Sequence, residues 1–154
     1  MLNIIINRLK KFNLHEVLGY LGFFPFIFLI ILVSIDKANL NLYINLVAFY
    51  LFIIISFIGA VYWGITITLK IKTSKLIIFS VIPSIIVSII YILNIPIILK
   101  IFAGIFFLNS MYFFEKLYYV NFLPSWYIKL RRHLNFFVTA LILVIISIYL
   151  IYNA

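Results

Sequence analysis

Cysteine is absent from the chain, which removes disulfides, thiolate nucleophiles and Cys-ligated metals and leaves the redox compartment unreadable. Charge is nearly as scarce. Only 10% of the residues are charged and only three are acidic, where a soluble domain carries about 25% charged residues. The two His and three carboxylates, scattered over different segments, form no His-x-x-x-His pair, and the chain has no Gly-x-Ser-x-Gly elbow and no glycine-rich phosphate loop. Hydrolases and metalloenzymes need converging nucleophiles, bases or ligands. The residues therefore point to a non-enzyme, with no catalytic, metal or cofactor-binding group implied.

What is present is apolar. Of 154 residues, 68% are hydrophobic and 19% aromatic. A soluble fold of this length leaves too much of its surface wet to hide them, so the solvent is lipid, with aromatic side chains suited to the acyl region and its rims. The net charge of +9 is not a nucleic-acid footprint. The 12 Lys and Arg sit in short clusters between apolar runs rather than along one stripe, which is the pattern of membrane topology.

A helix crosses about 30 Å of hydrocarbon with about 20 apolar residues. Five runs meet that need, at residues 18–35, 42–69, 76–93, 97–114 and 134–152. Backbone groups in lipid must pair within their own segment, so each run reads as helix, and none alternates like a barrel strand. The first run follows basic residues, as a signal peptide would. It is long for that role, and Asp36 and Lys37 replace a small-residue cleavage site, so it reads as a retained span. Lys100 interrupts the fourth run one turn in; it can snorkel to the nearer interface, and a re-entrant hairpin in a four-span chain is the fallback. Ser125, after Pro124, is the expected cap of the last helix.

Five crossings put Arg8, Lys10, Lys11, Lys70, Lys72, Lys75, Lys116, Lys129, Arg131 and Arg132 on one side, and Lys37 and Lys100 on the other. Ten against two predicts a cytoplasmic N-terminus and a C-terminus opposite. Before the first span, Leu2, Ile5, Ile6, Leu9 and Phe12 recur at helical spacing, so residues 2–12 read as an amphipathic helix in the interface. Residues 117–127, rich in Tyr, read as a second interfacial piece within a long connection over 115–132.

Small residues mark candidate packing faces: Ser56, Ala60 and Gly64 on the second span, Ser80, Ser84 and Ser88 on the third. At spacing i, i+4, i+8 they line one helix face and allow close backbone approach, so these two spans are expected to pack against each other, or against neighbours, through them. A polar path along the serines is the minority reading. Gly19, Gly22 and Pro25 in the first span suggest close packing or a flexible entry, and Pro83 a kink in the third. No ionisable residue falls at the centre of a span. Glu115 and His133 come nearest, and Glu115 is expected to pair with Lys116, Arg131 or Arg132 rather than relay protons. His15 and Glu16 form a similar pair at the edge of the first span.

Several ordered motifs resemble a known family. They are Leu18-Gly19-Tyr20-Leu21-Gly22-Phe23-Phe24-Pro25-Phe26, Ser56-Phe57-Ile58-Gly59-Ala60-Val61-Tyr62-Trp63-Gly64, Ile82-Pro83-Ser84, Glu115, and Leu123-Pro124-Ser125-Trp126-Tyr127-Ile128-Lys129-Leu130-Arg131. Together they resemble a family of small bacterial inner-membrane proteins with a domain of unknown function, grouped with the mitochondrial transmembrane protein sixty-nine. The resemblance implies a five-helix membrane domain and no particular activity. Members often carry His or Arg before the second-span Trp, where this chain has Tyr62, so no charged role carries over to that position. The candidate positions it implies are Gly59, Trp63, Gly64, Pro83, Ser84, Glu115, Trp126, Tyr127 and Arg131, with Glu115 and Arg131 as an ion pair at the cytoplasmic edge and Trp126 as an anchor.

The expected fold is all-α, one polytopic transmembrane domain. The expected role is a non-enzymatic interaction or assembly component of a membrane complex, with the bilayer, other membrane proteins or its own copies as partners and no nucleic acid. The runner-up is a small oligomeric transporter or permease component. A lipid-directed enzyme comes third, with Glu115, His133 and His15 its only acids and bases.

Overall fold

Isoleucine- and phenylalanine-rich runs have no partner for their peptide groups except themselves once water is gone, and they fold accordingly. The computed structural model describes residues 14–70 and 74–153, so the expected amphipathic segment 2–12 lies outside the described residues. The described residues form helices α1 (Leu14–Leu21), α2 (Phe24–Ile35), α3 (Leu40–Thr68), α4 (Ser74–Ile92), α5 (Ile97–Tyr118) and α6 (Ser125–Asn153), with 3₁₀ turns at Lys37–Asn39 and Val120–Phe122 and no strand. Five spans are long and apolar enough to cross a membrane, α1 and α2 together making the first. The protein is an all-α integral membrane protein.

The first span breaks where its Gly and Pro stand. Gly22 N–H turns back to the Gly19 carbonyl at 3.1 Å and Phe23 N–H to that of Tyr20 at 3.0 Å. Pro25 has no N–H to give Leu21. The Tyr50 hydroxyl of α3 donates to the Gly22 carbonyl at 3.1 Å, supplying one missing partner. At Gly19 an added Cβ would stand 3.0 Å from Leu130 of α6, so this glycine lets α1 and α6 close up.

Asp36 ends α2, its N–H donating to the Leu32 carbonyl at 2.9 Å. Its carboxylate accepts from Ala38 N–H, from Asn39 Nδ2 at 2.8 Å and from the Tyr43 hydroxyl at 2.6 Å. Those bonds, Asn39's first and then Tyr43's, hold its carboxyl below the ordinary value near 3.8. The α3 helix ends on Lys70, whose φ of 51° is the left-handed conformation that usually closes helices with Gly or Asn.

α3 is the hub, with α2, α4, α5 and α6 all packed on it, and the core runs along it from Tyr43 and Ile44 to Ile55 and Tyr62. The Ser56, Ala60 and Gly64 stripe, however, does not meet α4. Ala60 and Gly64 are exposed, Ser56 is half-exposed, and a Cβ on Gly64 would meet nothing within 4 Å. α4 instead closes on Gly59, where a Cβ would fall 2.7 Å from the Ser80 carbonyl and 3.4 Å from Pro83. Only Ser80 of its stripe is buried, beside Leu76, Pro83 and Val87; Ser84 is half-buried and Ser88 exposed. The backbone approach selects the helix face here, and Gly59 is the residue with nothing to move. All three serine hydroxyls donate to carbonyls of their own helix, those of Ile77, Val81 and Ser84, so they offer no hydroxyl row to a solute.

Helix boundaries also depart from the apolar runs. α5 has 22 residues, about 33 Å at 1.5 Å per residue, long enough to cross without a re-entrant turn. Lys100 does snorkel: its amine donates to the Tyr91 carbonyl at 2.7 Å, at the neighbouring end of α4. The connection between the last two spans shrinks to 119–124. Helix α6 begins nine residues before the apolar run, because Pro124 already accepts from Tyr127 N–H at 3.0 Å. Ser125 is therefore the first helical residue and not the cap.

Candidate functional site

Where α5 ends and α6 begins, polar side chains turn inward. α5 presents Glu115 in its last turn, α6 presents Arg131 two turns in, and α3 presents Tyr62. Glu115 is fully buried and Arg131 is 6% exposed. Arg131 Nε donates to Glu115 Oε2 at 3.1 Å. The Tyr62 hydroxyl donates to the same oxygen at 2.9 Å and lies 3.3 Å from the Met111 carbonyl. One carboxylate oxygen thus ties three helices. A fourth joins through aromatic contact. The Tyr119 ring stacks on Tyr62 with centroids 5.0 Å apart, and its hydroxyl donates to the Leu76 carbonyl of α4 at 3.3 Å. Burial pushes the Tyr119 phenol up from its ordinary value.

One to two turns further into the membrane lies a second polar set. Asn109 Nδ2 donates to the Ile105 carbonyl at 2.8 Å and lies 3.3 Å from Thr139 Oγ1. Asn135 Nδ2 donates to Asn109 Oδ1 at 2.6 Å. Glu115 Oε1, Arg131 Nη2 and Asn135 Oδ1 are buried without a hydrogen-bond partner.

A cavity of about 540 Å³ opens beside these groups, bounded by Leu18 to Phe23 of the first span, Tyr50 to Val61 of α3 and Trp126 to Val138 of α6, with Arg131 and Asn135 in its wall. Its rim carries His15 stacked on Trp126, centroids 6.0 Å apart. On the outer side of α6, the Tyr20 hydroxyl and His133 Nδ1 are 3.2 Å apart. His15 and Glu16, expected as a pair with one another, face Trp126 and a small cleft beside Lys129 and His133 respectively. Among the described residues no three His, Cys, Asp or Glu side chains gather to hold a metal ion.

The structure sorts the candidate positions into three places. Glu115, Arg131, Trp126 and Tyr127 converge on the cluster and its cavity. Gly59 and Pro83 meet at the α3–α4 contact, with Ser84 half-buried beside them. Trp63, 45% exposed, and Gly64 face outward. Tyr62, Tyr119, Asn109 and Asn135 were not singled out by the sequence. Tyr62 entered the sequence reading only as the residue before Trp63, with no role assigned to it. The ion pair lies near the end of the spans, in the last turn of α5 as expected, and is enclosed by helices.

No curated protein and no solved structure matches the chain. A family model does match, over residues 14–147, which takes in both polar sets, the cavity and parts of all five spans. The chain belongs to the family described as proteins of unknown function, DUF3429.

Proposed function

We propose that this chain is a non-enzymatic interaction or assembly component of a membrane complex. The observation that supports the reading is the outward face of α3. Ser56, Ala60 and Gly64 lie there among Phe49, Ile53 and Trp63, and a Cβ added at Gly64 would meet no described residue within 4 Å. Small residues every fourth position are what a lipid-facing helix needs to admit another helix at close range. Filling that groove tests the reading. Ala60→Leu and Gly64→Leu together should leave folding intact while stripping partners from a tagged chain recovered from its native membrane in mild detergent. Repeated recovery of the unsubstituted chain alone would refute it.

The transporter reading has the cavity in its favour. Its lining includes no residue of α2 and none of α6 beyond Val138, so a continuous path is not supported. The charge pattern supports a cytoplasmic N-terminus, in a bacterial cytoplasmic membrane as the family resemblance implies. Because the chain has no Cys, Asn94→Cys and Asn121→Cys test it cleanly. An impermeant maleimide added to intact cells should label the first and not the second.

A further inference from the structure

Of the three acidic residues in the chain, two have their partners. Glu115 meets Arg131 and Tyr62, and Asp36 accepts from Ala38, Asn39 and Tyr43. Glu16 does not. It stands in the first turn of α1, beside a cleft of about 350 Å³ between that helix and the start of α6, where Tyr20, Ser125, Lys129 and His133 supply the other polar lining. Among the described residues Glu115–Arg131 is the only ion pair. Glu16 and Lys129 therefore border one cleft with opposite charges and form no pair with each other. Lys129 is exposed and Glu16 half-exposed, so both flexible stems are free to turn toward a ligand between them. His133, also exposed, engages the Tyr20 hydroxyl through Nδ1 at 3.2 Å, which leaves Nε2 for a further partner.

The cleft lies where α1 and α6 begin, beside Trp126, at the level where amphipathic rings mark the membrane interface. Below it the same seam turns apolar. The Tyr20 and Phe23 rings are 6.0 Å apart, and Phe23 and Phe137 5.7 Å. Phe136 and Phe137 lie one turn beyond His133 on α6, and Phe24, Phe136 and Phe137 are 67%, 68% and 48% exposed. A polar head over acyl chains matches that order. Charge narrows the head. An anionic phospholipid would set its charge against Glu16, and a cation alone would be set against Lys129. A zwitterion with its phosphate on Lys129 and its ammonium on Glu16 leaves neither charge unmatched. A primary ammonium also brings N–H donors to the carboxylate. A quaternary one brings none and relies on open aromatic faces, whereas the Trp126 ring is stacked on His15.

We propose that the cleft between α1 and α6 binds the headgroup of phosphatidylethanolamine, its ammonium on Glu16 and its phosphate on Lys129 and His133, with its acyl chains over Phe24, Phe136 and Phe137. The proposal is independent of the assembly reading: it is tested on the purified chain, whereas partners are sought in the native membrane.

Trp126 borders the cleft, and Trp63→Phe leaves it the only Trp of the two in the chain. The probes are phospholipids brominated along their chains, doped into phosphatidylcholine nanodiscs that hold the purified chain. Brominated phosphatidylethanolamine should quench Trp126 at about one fifth of the mole fraction that brominated phosphatidylglycerol or phosphatidylcholine needs, the upper end for one exposed ion pair. That comparison needs no change at the cleft. Glu16→Gln should erase the advantage over phosphatidylcholine, and Glu16→Lys should transfer it to phosphatidylglycerol. Equal quenching by all three lipids overturns the proposal, as does an advantage that survives Glu16→Gln. Strongest quenching by phosphatidylglycerol would overturn the zwitterion in favour of an anion on Lys129. Strongest quenching by phosphatidylcholine would overturn the primary ammonium in favour of an aromatic cage.

Discussion

Removing one member of the Glu115–Arg131 pair should cost far more than removing both. Arg131→Met strands a fully buried carboxylate whose Oε1 has no partner and whose Oε2 keeps only the Tyr62 hydroxyl. Breaking a buried pair in this way costs about 3–5 kcal/mol. Glu115→Gln strands the guanidinium instead, but Arg131 sits about 9 Å along α6 at 1.5 Å per residue, and its long stem can swing toward the headgroups. Its loss should fall at the lower end of that range. The double variant leaves a neutral amide beside Tyr62 and a thioether where the guanidinium was, and should lose less than Arg131→Met alone. The coupling between the sites is then several kcal/mol, against a threshold of about 0.5 kcal/mol for independent positions. Reversible unfolding in mixed micelles, titrated with a denaturing detergent and followed by tryptophan fluorescence, measures all three variants. A double loss equal to the sum of the single losses would refute the coupling, and with it the view of this pair as the clamp between α5 and α6.

The glycines offer a sharper contrast. Gly59→Ala should cost about 1–3 kcal/mol, because its Cβ meets the Ser80 carbonyl, which is backbone and cannot turn away; Gly64→Ala should change stability by no more than about 0.5 kcal/mol, and equal losses at the two sites would place α4 elsewhere on α3. Lys70→Gly should raise stability by about 0.5–1 kcal/mol, since the left-handed φ of 51° strains any residue with a Cβ; a loss in the same micelle titration would contradict that geometry. Asp36 predicts an acid limb. Its folded carboxyl titrates below the ordinary value near 3.8, so its contribution is present above that value and is lost as pH falls from there through the folded pKa. Thermal melts from pH 6 to pH 3 should show the decline in the natural chain and not in Asp36→Asn.

The number of spans was legible in the residues, because span length and backbone pairing leave a hydrophobic run little choice. Which face of each helix points inward was not. In water the outer face of a helix is polar and announces itself. Here Phe57 on the outside and Ile58 on the inside are alike to any reading of hydrophobicity. Ser56, Ala60 and Gly64 looked like the packing face because they are small, but Gly59 is smaller where it matters. Glu115 was legible as half of an ion pair, since few charges stand so near a span, but charge placement left Lys116, Arg131 and Arg132 open as its partner, and Arg131 is the one it meets. Tyr62 could not be joined to it from spacing, because 53 residues separate it from Glu115. The early start of α6 was obscured by Lys129, Arg131, Arg132 and His133, whose polarity suggested a loop.

The position of Glu115 bears on how the chain is made. Ribosomes deliver α5 before α6, and Arg131 follows Glu115 by 16 residues, so for a time the carboxylate has no counter-ion. It lies in the last turn of α5, about 5 Å from the helix end at 1.5 Å per residue, where headgroups and water can still solvate it. Only when α6 docks is it drawn under cover, against a Tyr62 inserted earlier. With the N-terminus cytoplasmic, as proposed, biogenesis never has to carry a bare carboxylate through the middle of the bilayer, and the docking of α6 is the act that buries the charge.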